Sequence, residues 1–145
     1  MRLKFREVEP SDIHDLYHWR NHPLVRKNCF NTKVLAFSQH RKWFEGKLKS
    51  RGTTIYIAHH GDDKVGSIRF ENEPNAVQVS VMVNPELIGQ GIGQKLIALG
   101  TKRFIKEKKP GKPVFAEIKP ENIASNKAFQ KAGYKLRHAV YAFGK

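Results

Sequence analysis

The chain has 145 residues, 39% of them hydrophobic, which is enough for one domain over residues 1–145 with a real core and too few for two. A single cysteine, Cys29, excludes an internal disulfide and a metal centre built on thiolates, and no apolar run approaches the ~18 residues of a membrane span. The formal net charge of +14 narrows the partners only to anions, which nucleic acid, acidic membranes and phosphorylated small molecules all are.

In chain order, the start MRLKFREVEP lacks the apolar core of a signal peptide, so a cytoplasmic protein is expected. Leu3 to Glu9 alternates as a strand. Pro10-Ser11-Asp12 offers an N-cap for a helix carrying Ile13, Leu16, Tyr17 and Trp19-Arg20, and Asn21-His22-Pro23 stops it. His18 and His22 stand four apart, a spacing that could hold a metal, but no third ligand lies nearby in sequence and no metal is expected. Ser38 can cap a second helix with Trp43, Phe44 and Leu48 on one side, closed by Ser50-Arg51-Gly52.

Three strands follow. Thr53 to His59 and Lys64 to Glu71 are joined by the turn Gly61-Asp62-Asp63, and Ala76 to Val83 comes after Glu73-Pro74-Asn75. Next is VSVMVNPELIGQGIG, an alternating run that ends at Asn84-Pro85 and gives way to Gly89, Gly91 and Gly93. A helix follows to about Lys109, so these glycines sit between a strand and a helix start. Glycine lets a ligand approach the main chain, and the unpaired N–H groups and positive dipole of a first helical turn favour an anion. Alternate glycines fit neither the P-loop, since Gly93 is followed by Gln94-Lys95-Leu96, nor the Gly-x-Gly-x-x-Gly dinucleotide fingerprint. The dense run Lys102 to Lys109 reads as the solvated face of that helix, with a polyanion site as the alternative. Beyond the breaker Pro110-Gly111-Lys112-Pro113 come a strand from Val114 to Ile118, a helix from Ser125 to Ala132 and a final strand region from Tyr134 to Phe143. The whole is an α/β (α+β) arrangement, a mixed sheet flanked by about four helices.

The glycine spacing after Val-Met-Val-Asn-Pro resembles the acetyl-CoA motif of the GNAT N-acetyltransferases, Arg/Gln-x-x-Gly-x-Gly/Ala, with Gly91 and Gly93 as the motif glycines and Ile88 where Arg or Gln is usual. Asn122 to Tyr134 resembles the same family's Asn-x-x-Ser helix ending in Gly-Phe/Tyr. The resemblance implies a mostly antiparallel sheet with a V-shaped splay between Ala76–Val83 and Val114–Ile118. It implies acetyl-CoA as co-substrate, held by Met82, Val83, Ile88, Gly89, Gln90, Gly91, Ile92, Gly93, Gln94, Asn122, Ser125 and Phe129, and direct attack by an amine in a ternary complex. Phe129 replaces the family's proton-donating Tyr and Gln78 its strand Glu, which leaves Glu117, Gln78, Ser125, Tyr134 and Glu71 as catalytic candidates. Each has a plainer reading as a solvated strand residue, helix cap or half-buried core residue.

Trp19-Arg20-Asn21 and the later His40-x-x-Trp43-Phe44 resemble the nucleotide-sugar N-acetyltransferases that act on the 4-amino group of a UDP-linked amino sugar in pseudaminic acid synthesis. Trp19, Arg20, Asn21, His22 and Arg26 are then the expected acceptor residues, offering an aromatic face, phosphate donors and an amide. Core packing for Trp19 and a structural ion pair for Arg20 are the alternatives. Acetylation of a ribosomal or other protein N-terminus is the second enzymatic reading, and a CoA-binding domain without turnover or a basic nucleic-acid-binding domain are the non-enzymatic ones. Nucleic acid is not the expected partner, since no helix-turn-helix, zinc or aromatic sheet signature is present, and a homodimer is an admissible assembly.

Overall fold

The computed structural model describes residues 2–144. Five strands, β1 (Lys4–Glu7), β2 (Thr53–His60), β3 (Asp63–Asn72), β4 (Val77–Val83) and β5 (Val114–Phe115), form one sheet in the order β1-β2-β3-β4-β5. All neighbours are antiparallel except β4 and β5, which run parallel. The helices are α1 (Ile13–Asn21), α2 (Pro23–Arg26), α3 (Phe37–Lys49), α4 (Ile92–Lys108) and α5 (Ile123–Lys131).

Both faces of the sheet are covered, which is why β2 reads Ile55-Tyr56-Ile57-Ala58 with every residue buried. Tyr56 and Ala58 face the larger core, where Ile68, Phe70, Val77 and Val79 of the sheet meet Leu96, Ile97 and Phe104 of α4. Phe70 and Phe104 stack with centroids 4.1 Å apart. Ile57 faces the opposite layer, in which Leu16 and Trp19 of α1 and Phe44 of α3 are buried together, with Met82 of β4 packed against them. Strand alternation therefore splits β4: Val77 and Val79 serve the α4 side while Gln78, Ser80 and Met82 serve the other. Gly66 of β3 lets β4 come close, since a Cβ there would lie 2.6 Å from the Met82 carbonyl oxygen.

Several expected boundaries move. Asp12 does not cap α1 with its side chain; it is wholly buried, with both oxygens on the Arg6 guanidinium at 2.8 Å and one on Lys64 Nζ at 2.7 Å. The second helix starts before Ser38, because Gln39 Oε1 accepts the Ala36 amide hydrogen and closes the first turn from inside. Pro23 ends α1 but also opens α2, as the His22 ring accepts the Leu24 N–H and proline suits a first helical position.

The strand expected from Val114 to Ile118 has only two residues in register, Val77 with Val114 and Gln78 with Phe115, and the chain then leaves the sheet. No strand forms between residues 134 and 143: Leu136, Val140, Tyr141 and Phe143 are each more than four-fifths exposed. A strand needs a neighbouring edge to receive its hydrogen bonds, and the short β5 offers too little of one. Among the described residues no helix is long and apolar enough to cross a membrane.

Candidate active site

The early departure of β5 creates the site. From Val79 to Val83 the outer edge of β4 has no strand neighbour among the described residues, while the inner edge stays paired to β3, Met82 with Ser67 and Val83 with Gly66. A ligand that brings its own amides can add to such an edge. At the foot of this gap the chain turns through Asn84, whose Oδ1 accepts the Glu86 N–H and whose Nδ2 donates to the Lys64 carbonyl. The glycine loop follows. Gly89 (φ 90°) and Gly91 (φ 75°) take left-handed backbone conformations, and Gly91 is the N-cap of α4. A Cβ at either would meet nothing within 4 Å, so the main chain at Gly89 and Gly91 borders open space. The first-turn N–H groups of α4, Ile92 to Gln94 among them, have no intrahelical acceptors, and a seventeen-residue helix adds its dipole. Those are the features a pyrophosphate requires, and Ile88, 47% exposed, contributes no polar group to them.

The second motif is more structural. Asn122 Oδ1 accepts the Ser125 N–H and caps α5, and Asn126 Nδ2 donates to the carbonyls of Lys119 and Asn122. Phe129 is buried in the α4-side core and meets Tyr134 edge to face at 5.0 Å. The Tyr134 hydroxyl is 2.8 Å from Thr101 Oγ1 on α4, and burial raises its pKa above the ordinary tyrosine value despite that contact.

On the opposite face of the sheet a polar row crosses the splay. Glu71 of β3 stands opposite Gln78 of β4, and Gln78 Nε2 donates to Glu117 Oε1 at 3.1 Å. Burial alone would raise the Glu71 carboxyl, but Lys47 of α3 and Arg69 hold it below the ordinary range. Glu71 is thus committed as an anion in an ion-pair cluster, while Glu117 is solvent-exposed beside the gap. Arg69 lies over the Trp43 ring at 4.9 Å.

Of the five expected acceptor residues, the fold uses most to hold the segment between α2 and α3. Trp19 is core. Asn21 bonds both the carbonyl and the amide of Leu35, Arg26 donates to the carbonyls of Asn21 and Thr32, and Arg20 Nη2 donates to the Asn31 carbonyl at 2.7 Å. These staples present Phe30 and Val34, 69% and 63% exposed. Lys119, past β5, donates to the Lys27 carbonyl, which sets this segment beside the splay. One donor stays unspent: Arg20 Nη1 is buried without a partner. So is Nε2 of His40, a residue only 3% exposed that belongs to the His-x-x-Trp-Phe segment but was not among the expected acceptor residues. Burial lowers the His40 pKa, and the Arg20 charge lowers it further against a backbone hydrogen bond to Ile13, so the imidazole is neutral. Its signal was a histidine three residues before Trp43 and four before Phe44, on the inward face of an amphipathic helix.

Residues 2–135 match the family of acetyltransferase (GNAT) domains. The chain belongs to that family. This GNAT domain uses acetyl-CoA as its co-substrate. Acetyltransferase PseH of Campylobacter jejuni is 24% identical over 99 residues, which cover 67% of this chain and 61% of PseH, so the match spans about three-fifths of that relative. Among solved structures, aminoglycoside acetyltransferase AAC(6')-Ib in complex with coenzyme A and kanamycin superposes with a TM-score of 0.81 at 17% identity, covering 96% of this chain and 87% of that one. Spermidine N-acetyltransferase from Vibrio cholerae, in complex with CoA and spermine, gives 0.82 at 14% identity, covering 98% and 86%. At such identities these two structures speak for the fold. Among the described residues no group of three or more His, Cys, Asp or Glu is placed to hold a metal ion.

Proposed function

We propose that this GNAT domain acetylates the primary amine of an anionic acceptor, the 4-amino group of a UDP-linked amino sugar, by direct attack in a ternary complex. The observation that carries this reading is the unspent Arg20 Nη1 donor beside neutral, buried His40 on a face where the inner carboxylate, Glu71, is already neutralised by Lys47 and Arg69. A polycation such as spermine or kanamycin requires spare carboxylates to receive it. Here the buried unpaired groups are a cationic donor and a neutral ring acceptor, and the net charge is +14. A guanidinium N–H suits a phosphate or hydroxyl oxygen, and an imidazole lone pair suits a sugar hydroxyl. The match to PseH points to the same class.

In this reading the amides of Gly89 to Gln94 hold the diphosphate of acetyl-CoA, and the open edge at Met82 and Val83 aligns its thioester carbonyl in the splay. Glu117, oriented by the Gln78 amide, takes the proton that the ammonium of the acceptor must lose before it can attack. The neutral amine then forms the C–N bond at the thioester carbon and the C–S bond breaks. Ser125, or water beside it, relays the N–H proton that the new amide sheds to the departing thiolate, because the Tyr134 hydroxyl is bonded to Thr101. On this reading the enzyme works in the cytoplasm.

A screen of acceptors tests the assignment: thiol release should be fastest with the UDP-amino sugar, and preference for spermidine, an aminoglycoside or a ribosomal-protein N-terminal peptide would overturn it. Arg20→Ala is expected to raise KM for the sugar nucleotide at least about 10-fold, as loss of one charged hydrogen bond of ~1.5–3 kcal/mol implies, with KM for acetyl-CoA within twofold. Equal loss of both would make Arg20 a structural staple only. Glu117→Gln should lower kcat about 100-fold at neutral pH, with the loss shrinking as pH rises and more of the amine is free; an unchanged kcat would remove Glu117 from the proton path.

A further inference from the structure

The positive charge is not spread evenly. Between residues 92 and 144 the chain holds twelve Lys and Arg against three Asp and Glu, and most of these cations stand on α4, α5 and the segment after them. α4 spends its apolar side, Leu96, Ile97 and Phe104, on the sheet. At 100° per residue, Lys102, Lys106 and Lys109 then fall in one line on the side facing away from the sheet, spanning roughly 10 Å. All three are exposed and their side chains have no hydrogen bond or ion pair among the described residues, unlike Arg103 and Lys108, which are paired with Glu107 and Glu7. α5 packs against α4 and adds Lys127 and Lys131, four residues apart and also exposed and unpaired among the described residues. None of these five side chains belongs to the glycine loop, the β4 edge or the acceptor face.

We propose that this α4–α5 face docks the protein on the sugar-phosphate backbone of a nucleic-acid duplex. Charge complementarity selects a polyanion, and the chemistry of the face narrows the kind. Its polar groups are lysine ammonium ions, which serve as point charges for phosphate and carry no base-reading geometry. The outward lysine line holds no aromatic ring, so no platform exists on it for stacking the bases of a single strand. A membrane surface would need a broad apolar face to insert; α4 has used its own against the sheet, leaving Leu99 and Ile105 half-exposed at the flanks, and α5 adds the single exposed Ile123 at its start. The binding is therefore sequence-independent and driven by counterion release.

Fluorescence anisotropy with a labelled 20-base-pair DNA duplex, over salt from about 50 to 200 mM, tests this with the whole chain. The wild type should bind in the micromolar range at the low end and weaken steeply with salt. The variant Lys102→Ala, Lys106→Ala, Lys109→Asn, with asparagine chosen because Lys109 has a φ of 44°, should bind at least about 10-fold more weakly. Its log–log salt slope should be shallower by about 2 to 3, near 0.9 for each phosphate contact removed. Lys127→Ala with Lys131→Ala should act in the same direction. Acetyl-CoA turnover should be unchanged in both variants, which separates this surface from the acetyl-transfer reading. Unchanged affinity and slope in both variants would overturn the proposal, as would tighter association with phosphatidylserine vesicles or polyglutamate than with the duplex at equal salt.

Discussion

Gly91→Glu is expected to raise the Kd for acetyl-CoA at least about 100-fold while the protein stays folded. Two separate effects of the substitution make it informative. The left-handed backbone at Gly91, φ 75°, costs a residue with a Cβ roughly 1–2 kcal/mol, a few degrees of melting temperature in a chain of this size. The Cβ itself meets nothing within 4 Å, so no packing is lost. What the carboxylate does is place a negative charge at the N-cap of α4, against the diphosphate that the same amides would hold, and two unit charges about 4 Å apart cost several kcal/mol where water is partly excluded. Gly91→Asn is the matched control, since asparagine tolerates the left-handed region and adds no charge. It should retain acetyl-CoA binding within about 10-fold. Isothermal titration of acetyl-CoA into both variants, with circular dichroism to verify folding, makes the measurement. Full affinity in a folded Gly91→Glu protein would detach the glycine loop from the co-substrate.

The second large effect concerns stability. Asp12 is wholly buried, and its carboxylate joins β1 through Arg6, β3 through Lys64, and the Glu9 amide at 2.7 Å. Asp12→Ala leaves Arg6 without its carboxylate and Lys64 with Asp15 alone, and since both cations reach solvent (31% and 26% exposed) the cost falls at the low end of that for a broken buried pair, about 3 kcal/mol. A fall of about 10 °C in melting temperature follows for a chain of this length. Burial alone would raise the Asp12 pKa, but the hydrogen bonds from Arg6, Lys64 and the Glu9 amide outweigh it and hold the carboxyl well below the ordinary aspartate range. A folded value below the unfolded one means stability that is present above about pH 4 and lost as pH falls toward the folded value. Glu71, also held low in the folded state, adds in the same direction. Urea melts between pH 7 and pH 3 should therefore show wild-type stability falling faster than that of Asp12→Ala. Parallel curves for the two proteins would make Asp12 an ordinary surface-type cap.

The glycine loop was legible because its function is a backbone property. Any sequence that runs from an alternating strand through glycines into an amphipathic helix must bring free amides together, and α4 does so from Ile92, two residues before the expected start after Gly93. Element types were legible from pattern: β4 follows local alternation and α4 helical spacing, while β2 reads as a short apolar run between turns. The last stretch failed for the converse reason. Residues 134 to 143 alternate as well as β1 does, yet a strand is decided by its neighbour, and no edge is there to receive it.

The acceptor face was hidden for a deeper reason. Arg20, Asn21 and Arg26 were visible as a polar cluster, but sequence cannot say that Asn21 and Arg26 spend themselves on main-chain carbonyls while one Arg20 nitrogen is left over. Nor can it say that Glu71 is neutralised by a lysine twenty-four residues away, or that Asp12 answers to Lys64 rather than to its own helix. The sequence by itself determined the strand-turn-helix and the free amides at its turn, because hydrogen bonding and glycine geometry act between residues a few positions apart. Only the tertiary structure decided which polar side chains stay unpaired, because that depends on which distant partners the packing of α1 and α3 on the sheet brings within reach.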